Sequence, residues 1–242
     1  MKLLSVFLLS ILTFSSWVPV SLAGETLRLD YEGFSVWVDC DRRGAVLFRY
    51  NAQRDVGNEK RVRDFHLDKN VPARCQQRST HTYRATGQRF DRGHMVPANH
   101  LDYSKKAITQ SNFMTNVWPQ AANMNRGSWL LTEEITECYR DIDELLVFGG
   151  PLWTGDKSND FFMDSHGIET PEAFWKVIIR NDRVIAWIIP NEPQATRKKL
   201  DSYLVSIKEI ESATGLEIPV DEYLKTDVPS QSWYIPRGCN KG

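Results

Sequence analysis

The stretch from Trp175 to Ile189 constrains the fold more than any other part of the chain. Trp175-Lys176-Val177-Ile178-Ile179 and Val184-Ile185-Ala186-Trp187-Ile188-Ile189 flank the polar turn Arg180-Asn181-Asp182-Arg183. Two apolar runs joined by four polar residues predict a β-hairpin, and strands apolar at nearly every position must be covered on both faces. A central sheet with layers on either side follows. Phe34-Ser35-Val36-Trp37-Val38 and Ala45-Val46-Leu47-Phe48, joined through Asp41-Arg42-Arg43-Gly44, supply a second hairpin, and Leu145 to Phe148 reads as a strand ending at Gly149-Gly150-Pro151.

Helical spacing predicts three helices. Ser104 to Ser111 begins on a serine N-cap; Asn125 to about Arg140 is marked by Leu130, Leu131, Ile135, Cys138 and Tyr139; Leu200, Tyr203, Leu204, Ile207 and Ile210 form one face of a third, closed by Gly215. Phe113 to Trp118 reads as a short strand stopped by Pro119. Residues 51 to 88 carry no sustained period and many charges, so they read as surface loops. The class is α+β, a central antiparallel sheet flanked by helices, in a single domain over residues 24–242.

Met1-Lys2, the apolar run Leu3 to Val20 and Ser21-Leu22-Ala23 form a signal peptide over residues 1–23, which predicts a secreted or periplasmic protein. Pro19 and the serines break the run short of the ~20 apolar residues that a membrane span needs. Cys40, Cys75, Cys138 and Cys239 contain no Cys-x-x-Cys pair, so two disulfides in an oxidising compartment are expected, with three pairings open. A net charge of −1 gives no global field for a polyanion. Locally, Lys60 to Arg92 holds nine basic residues against three acids, whereas Glu133 to Glu144 holds six acids against Arg140 and reads as a solvated face.

The chemistry concentrates in Phe90-Asp91-Arg92-Gly93-His94-Met95-Val96-Pro97-Ala98-Asn99-His100, followed by Asn123-Met124-Asn125-Arg126-Gly127-Ser128-Trp129 and Glu133. Phosphodiester hydrolysis needs a base for water, a cation for the charge developing at phosphorus, and a proton for the leaving oxygen. Histidine is poised as a neutral base near pH 7, and an amide oxygen suits magnesium, which keeps most of its own water. Asn125 is also a good helix N-cap, a role compatible with holding a metal. Met95 and Trp129 read as packing around the site. His66, His81, His100 and His166 read as surface or core residues.

Asp91-Arg92-Gly93-His94 with Asn125 and Glu133 resembles the DNA/RNA non-specific endonucleases of the ββα-metal type, the group that includes mitochondrial endonuclease G. The resemblance extends through Ser111 to Gln120, Gly149-Gly150-Pro151-Leu152, Phe174-Trp175-Lys176-Val177 and Ile189-Pro190-Asn191, covering roughly residues 45 to 235. It implies a metal finger of strand, strand and helix, with His94 as general base and Asn125 as direct ligand of one magnesium (or manganese) ion. Glu133 would hold metal-bound water, Arg92 would position the phosphate or the motif, Arg63 would contact the phosphate, and Asn116 would steady the site. Asp91 would anchor the loop presenting His94. The implied reaction is sequence-blind hydrolysis of DNA and RNA to 5′-phosphate products, with the basic stretch contacting phosphates, and an acid limb near a histidine's unperturbed pKa of about 6.5. Two other readings stay open: an inactive nucleic-acid-binding protein, and a secreted effector controlled by an inhibitor protein.

Overall fold

A computed structural model describes residues 24–240; the signal peptide expected over residues 1–23 lies outside the described residues. Among the described residues, eight strands and five α-helical segments build the fold. They are β1 (Thr26–Tyr31), β2 (Phe34–Asp39), β3 (Gly44–Ala52), β4 (Phe90–His94), α1 (Lys105–Ser111), β5 (Val117–Ala121), α2 (Ala122–Met124), α3 (Leu130–Arg140), β6 (Leu145–Leu152), α4 (Met163–His166), β7 (Ala173–Arg180), β8 (Arg183–Pro190) and α5 (Ile207–Thr214). Six strands form one antiparallel sheet in the order β1-β2-β3-β6-β7-β8, and β4 and β5 form a separate ribbon. Both expected hairpins are present. Arg180 pairs with Arg183 across a two-residue turn in which Asn181 takes a φ of 52°, a left-handed conformation that asparagine tolerates.

The sheet is covered on both faces, as its apolar central strands require. On one face Trp37, Leu47, Phe148, Trp175 and Val177 pack with Ile207 and Ile210 of α5. On the other, Val36, Phe48 and Phe174 meet Trp118 of β5 and Trp129 and Ile135 of the helix that follows. The ribbon and its helix therefore rest on a rigid, fully buried platform.

Four local expectations are revised. β1 pairs in register with β2 as an edge strand that its mixed composition did not announce. Pro119 does not end a strand: a 3-10 turn occupies Met114–Asn116, and Pro119 sits inside β5 opposite Arg92. Proline is tolerated there because the ribbon has only two strands, and the outer edge of β5 is finished by Asn191, whose amide accepts from Ala121 N and donates to the Pro119 carbonyl. β6 runs on through Gly149-Gly150-Pro151 to Leu152. The third helix is two pieces, a 3-10 segment Arg197–Tyr203 and α5, because Leu204 bridges to Trp187 and Val205 N donates to the Ala186 carbonyl. α5 restarts on a Ser206–Glu209 capping box and closes at Gly215, whose φ is 69°.

The cysteines pair Cys40–Cys75 and Cys138–Cys239. The first ties the β2 end to the loop after residue 70. The second ties α3 to the C-terminal segment, where the Trp233 ring packs at a tilt against Tyr139, with centroids 5.0 Å apart. Loops of 35 and 101 residues are closed, and closing long loops restricts the unfolded chain. Reduction of both bridges should therefore lower stability, by about 2–5 kcal/mol for each. Thermal melts with and without reductant check this; coincident melting curves would refute it.

Candidate active site

β4 ends on His94, and its pairing fixes where that side chain sits. Gly93 lies opposite Trp118, and a Cβ there would come within 2.1 Å of the Gln120 side chain, so glycine leaves the room that this buried side chain occupies. The Trp129 indole donates to the His94 carbonyl at 3.2 Å, and Asn116 clamps the chain just beyond. Its amide accepts from Val96 N and donates to the carbonyls of Val96 and Ser111. Asn116 is fully buried behind the cleft, and Met95 and Trp129 are buried packing residues.

Asn112, which sequence reasoning did not single out as a site residue, decides the state of His94. Its Nδ2 donates to the carbonyls of Val62 and Asp64, so its Oδ1 is the acceptor facing His94 Nε2 at 2.7 Å. The ring therefore carries its proton on Nε2 and leaves Nδ1 as its only acceptor. Burial pulls the His94 pKa down to about 4, the bond to Asn112 opposes that shift, and the charges of Arg61 and Arg92 reinforce it.

Helical structure begins at Ala122, before the expected start at Asn125. It widens into a π-turn over Asn125–Trp129 and continues as α3. In a regular α-helix, at ~100° per residue, Asn125 and Glu133 would lie about 80° apart. The extra residue of the π-turn swings Glu133 back toward the face of Asn125. Gly127 lets the backbone at Thr196 and Arg197 pack against this turn, since a Cβ there would lie 2.9 Å from Arg197 N.

Asp91 joins the His94 strand to the helix. Its carboxylate accepts from Asn125 Nδ2 at 3.1 Å and from Arg126 Nε and a terminal nitrogen, both at 2.7 Å. It thus ties β4, and with it the segment that presents His94, to the candidate metal ligand. With its Nδ2 engaged, Asn125 presents an Oδ1 that receives no protein hydrogen bond among the described residues. Burial pushes the Glu133 carboxyl up, opposed by the charges of Lys176 and Arg61. Lys176 is itself buried, with Nζ 3.8 Å from the Trp129 ring centroid and 2.8 Å from Thr132 Oγ1.

His94, Arg92, Asp91, Asn125 and Glu133 line one cleft of about 820 Å3. Arg92 stacks over Phe65 at 4.0 Å and donates to the Thr80 carbonyl. Arg63 is exposed and does not line the cleft; Arg61, two residues earlier, does. The segment is fixed by bonds from His66 N to the Asn112 carbonyl and from Met114 N to the His66 carbonyl, pairings that nothing in a loop sequence foretells.

The acidic run is not wholly solvated either. Glu137 is buried beside His100 and Arg140, and Tyr50 bonds His100 Nδ1 at 2.8 Å, forming a charged floor beneath Asn99 and Asp102. His166 is also buried, and His66 and His81 are exposed.

A family profile described as DNA/RNA non-specific endonuclease matches residues 18–223. The chain belongs to that family. Human mitochondrial endonuclease G is 29% identical over 202 residues, which cover 76% of this chain and 67% of the relative. A nuclease of Nostoc sp. is 28% identical over 192 residues, covering 73% and 67%. Mitochondrial nuclease 1 of Schizosaccharomyces pombe is 28% identical over 180 residues, and the match spans 66% of this chain but 54% of that protein. The fold matches that of a solved EndoG/EndoGI complex with a TM-score of 0.64, covering 79% of this chain and 84% of that one at 21% identity. Strand pairing and neighbour agree on a strand–strand–helix finger docked on an antiparallel sheet.

The His94–Asn112 bond yields a test. His94 is neutral in the folded chain down to about pH 4, so an activity that needs its free Nδ1 should have its acid limb well below 6.5. Asn112→Asp puts a carboxylate against Nε2–H, which favours the charged ring and should raise the acid limb by about 1–3 pH units. A pH–rate profile reads this, and an unmoved limb would show that His94 does not set it.

Proposed function

We propose that this protein is a metal-dependent endonuclease that hydrolyses the phosphodiester bonds of DNA and RNA without regard to base sequence. The observation that carries this reading is the pairing, in one cleft, of a neutral His94 and an Asn125 whose Nδ1 and Oδ1, respectively, receive no protein hydrogen bond among the described residues. His94 Nδ1 takes the proton of the attacking water. Asn112 keeps the ring in that tautomer, and burial keeps it uncharged.

The donor set suits a hard divalent ion. Asn125 Oδ1 would be the direct protein ligand and Glu133 would accept hydrogen bonds from water around the ion, an oxygen-only set with few protein ligands that fits magnesium or manganese. When bound, such an ion neutralises charge on the phosphate and lowers the pKa of its water. Arg61 and Arg92 bring positive charge to the phosphate, with Arg61 in the place assigned to Arg63 by sequence. Asn116 acts only by holding the chain after His94.

We further propose that the chain is exported with loss of residues 1–23. The two disulfides and the signal-like start support export, whereas the named relatives include mitochondrial proteins. An inhibitor protein is a partner class worth testing, since the structural neighbour was solved as an EndoG/EndoGI complex.

Incubation of the purified protein with plasmid and with RNA, in magnesium and then in chelator, tests the activity. His94→Ala should lower turnover by about 10²–10⁴-fold with metal binding retained. Asn125→Ala should lose activity that returns in part as magnesium is raised. Wild-type rates in His94→Ala across pH would refute the mechanism.

A further inference from the structure

The cleft does not stop at Asp91. A second depression of about 470 Å3, lined by Thr82, Arg84, Gly87, Arg89, Phe90 and Asp91, shares Thr82, Phe90 and Asp91 with it. Its walls come from the short hairpin that leads into β4. Arg84 and Arg89 face each other across an antiparallel bridge, and Gly87 turns the chain between them at a φ of 80°.

Both arginines are exposed, and neither forms an ion pair or side-chain hydrogen bond among the described residues. Like charges directly opposite on paired strands oppose folding. The nearest acid along β4, Asp91, is already bound by Asn125 and Arg126. An uncompensated cross-strand arginine pair is a local cost to the fold, of the kind tolerated where a surface binds something anionic. Bare arginines at a turn tip can also be merely solvated. The continuity of their depression with the cleft distinguishes this pair from such a tip.

We propose that Arg84 and Arg89 form a flanking subsite for the phosphates of the same polynucleotide that is cut at His94. The proposal rests on the nuclease reading above and adds to it a length preference. From Arg89 to His94 the chain advances five residues of extended strand, about 17 Å at ~3.3 Å per residue. At ~3.4 Å of rise per nucleotide in a duplex strand, that is about five nucleotides. A long duplex reaches both places at once, and a tetranucleotide does not. The contacts are to backbone phosphates, so they add affinity without reading sequence.

The test compares a 40-base-pair duplex with a tetranucleotide, using wild type and Arg84→Gln/Arg89→Gln. In the double variant the preference for the duplex, as a ratio of kcat/KM, should fall about tenfold, through KM on the duplex. In chelator, the salt dependence of duplex binding by fluorescence anisotropy should weaken by about 2 in log–log slope, near 0.9 for each phosphate that is no longer neutralised. Arg84→Lys/Arg89→Lys should restore most of both, because charge and not fork geometry is required. An unchanged ratio and slope, or an equal loss on both substrates, would overturn the subsite. If wild type cuts neither substrate in magnesium or manganese, the nuclease reading fails on its own, and the slope measured in chelator still decides the subsite.

Discussion

Asp91 accepts three hydrogen bonds from two consecutive residues, Asn125 and Arg126, and through them β4 and the helix beyond it become one unit. Without that carboxylate the Asn125 amide would be free to rotate, and either its nitrogen or its oxygen could face the cleft. A side-chain amide has two chemically opposite ends of nearly the same shape. The carboxylate accepts only, so it selects the nitrogen for itself and leaves the oxygen for a cation. Its contacts with the Arg126 guanidinium are charge-assisted and bidentate, which pins the carboxylate in place. The metal-binding character proposed for the cleft thus depends on an acid that need not touch the metal.

Asn112 does the same for His94. In each case a side chain with fixed hydrogen-bond polarity sets a neighbour with ambiguous polarity, and the backbone around it supplies the certainty: the carbonyls of Val62 and Asp64 orient Asn112. Reactive groups set this way need no rearrangement when substrate arrives, which is how preorganised sites lower barriers. Burial adds the second half of the effect. It holds His94 neutral, so the ring is an available base at every pH near neutrality, although a base with so low a pKa binds its proton weakly.

Beneath these groups the fold contributes stiffness. The sheet is buried on both faces, Trp118 donates to the Ala45 carbonyl from β5 into the platform, and Ser128 of the π-turn is anchored to the Ala195 carbonyl. The charged floor of His100, Glu137 and Arg140 is buried and multiply bonded. Such a network is costly when incomplete and rigid when satisfied. The surface that this frame leaves open includes the cleft and the basic hairpin beside it.

Much of this was legible in the chain itself. The apolar runs at Trp175–Ile179 and Val184–Ile189 dictated a doubly covered sheet because strand periodicity and burial are local properties of sequence. The Asp91-Arg92-Gly93-His94 motif with Asn125 and Glu133 marked the candidate site by residue type and order. What sequence left open were relations between segments with no periodic signal to bind them. Arg61 and not Arg63 entered the cleft because the loop is stitched to Asn112 and Met114, and Asn112 gained its role only by meeting His94 across folded space. The π-turn that brings Glu133 toward Asn125 has no signature in composition, and within it Gly127 packs against Arg197 from a distant segment. Glu137 looked like one more solvated acid until Tyr50, His100 and Arg140 closed around it. Sequence determined the strands, the motif and the class of chemistry, because these follow from each residue's own polarity and its near neighbours; tertiary structure decided orientation, protonation and reach, because these depend on which distant groups share the same low-dielectric space.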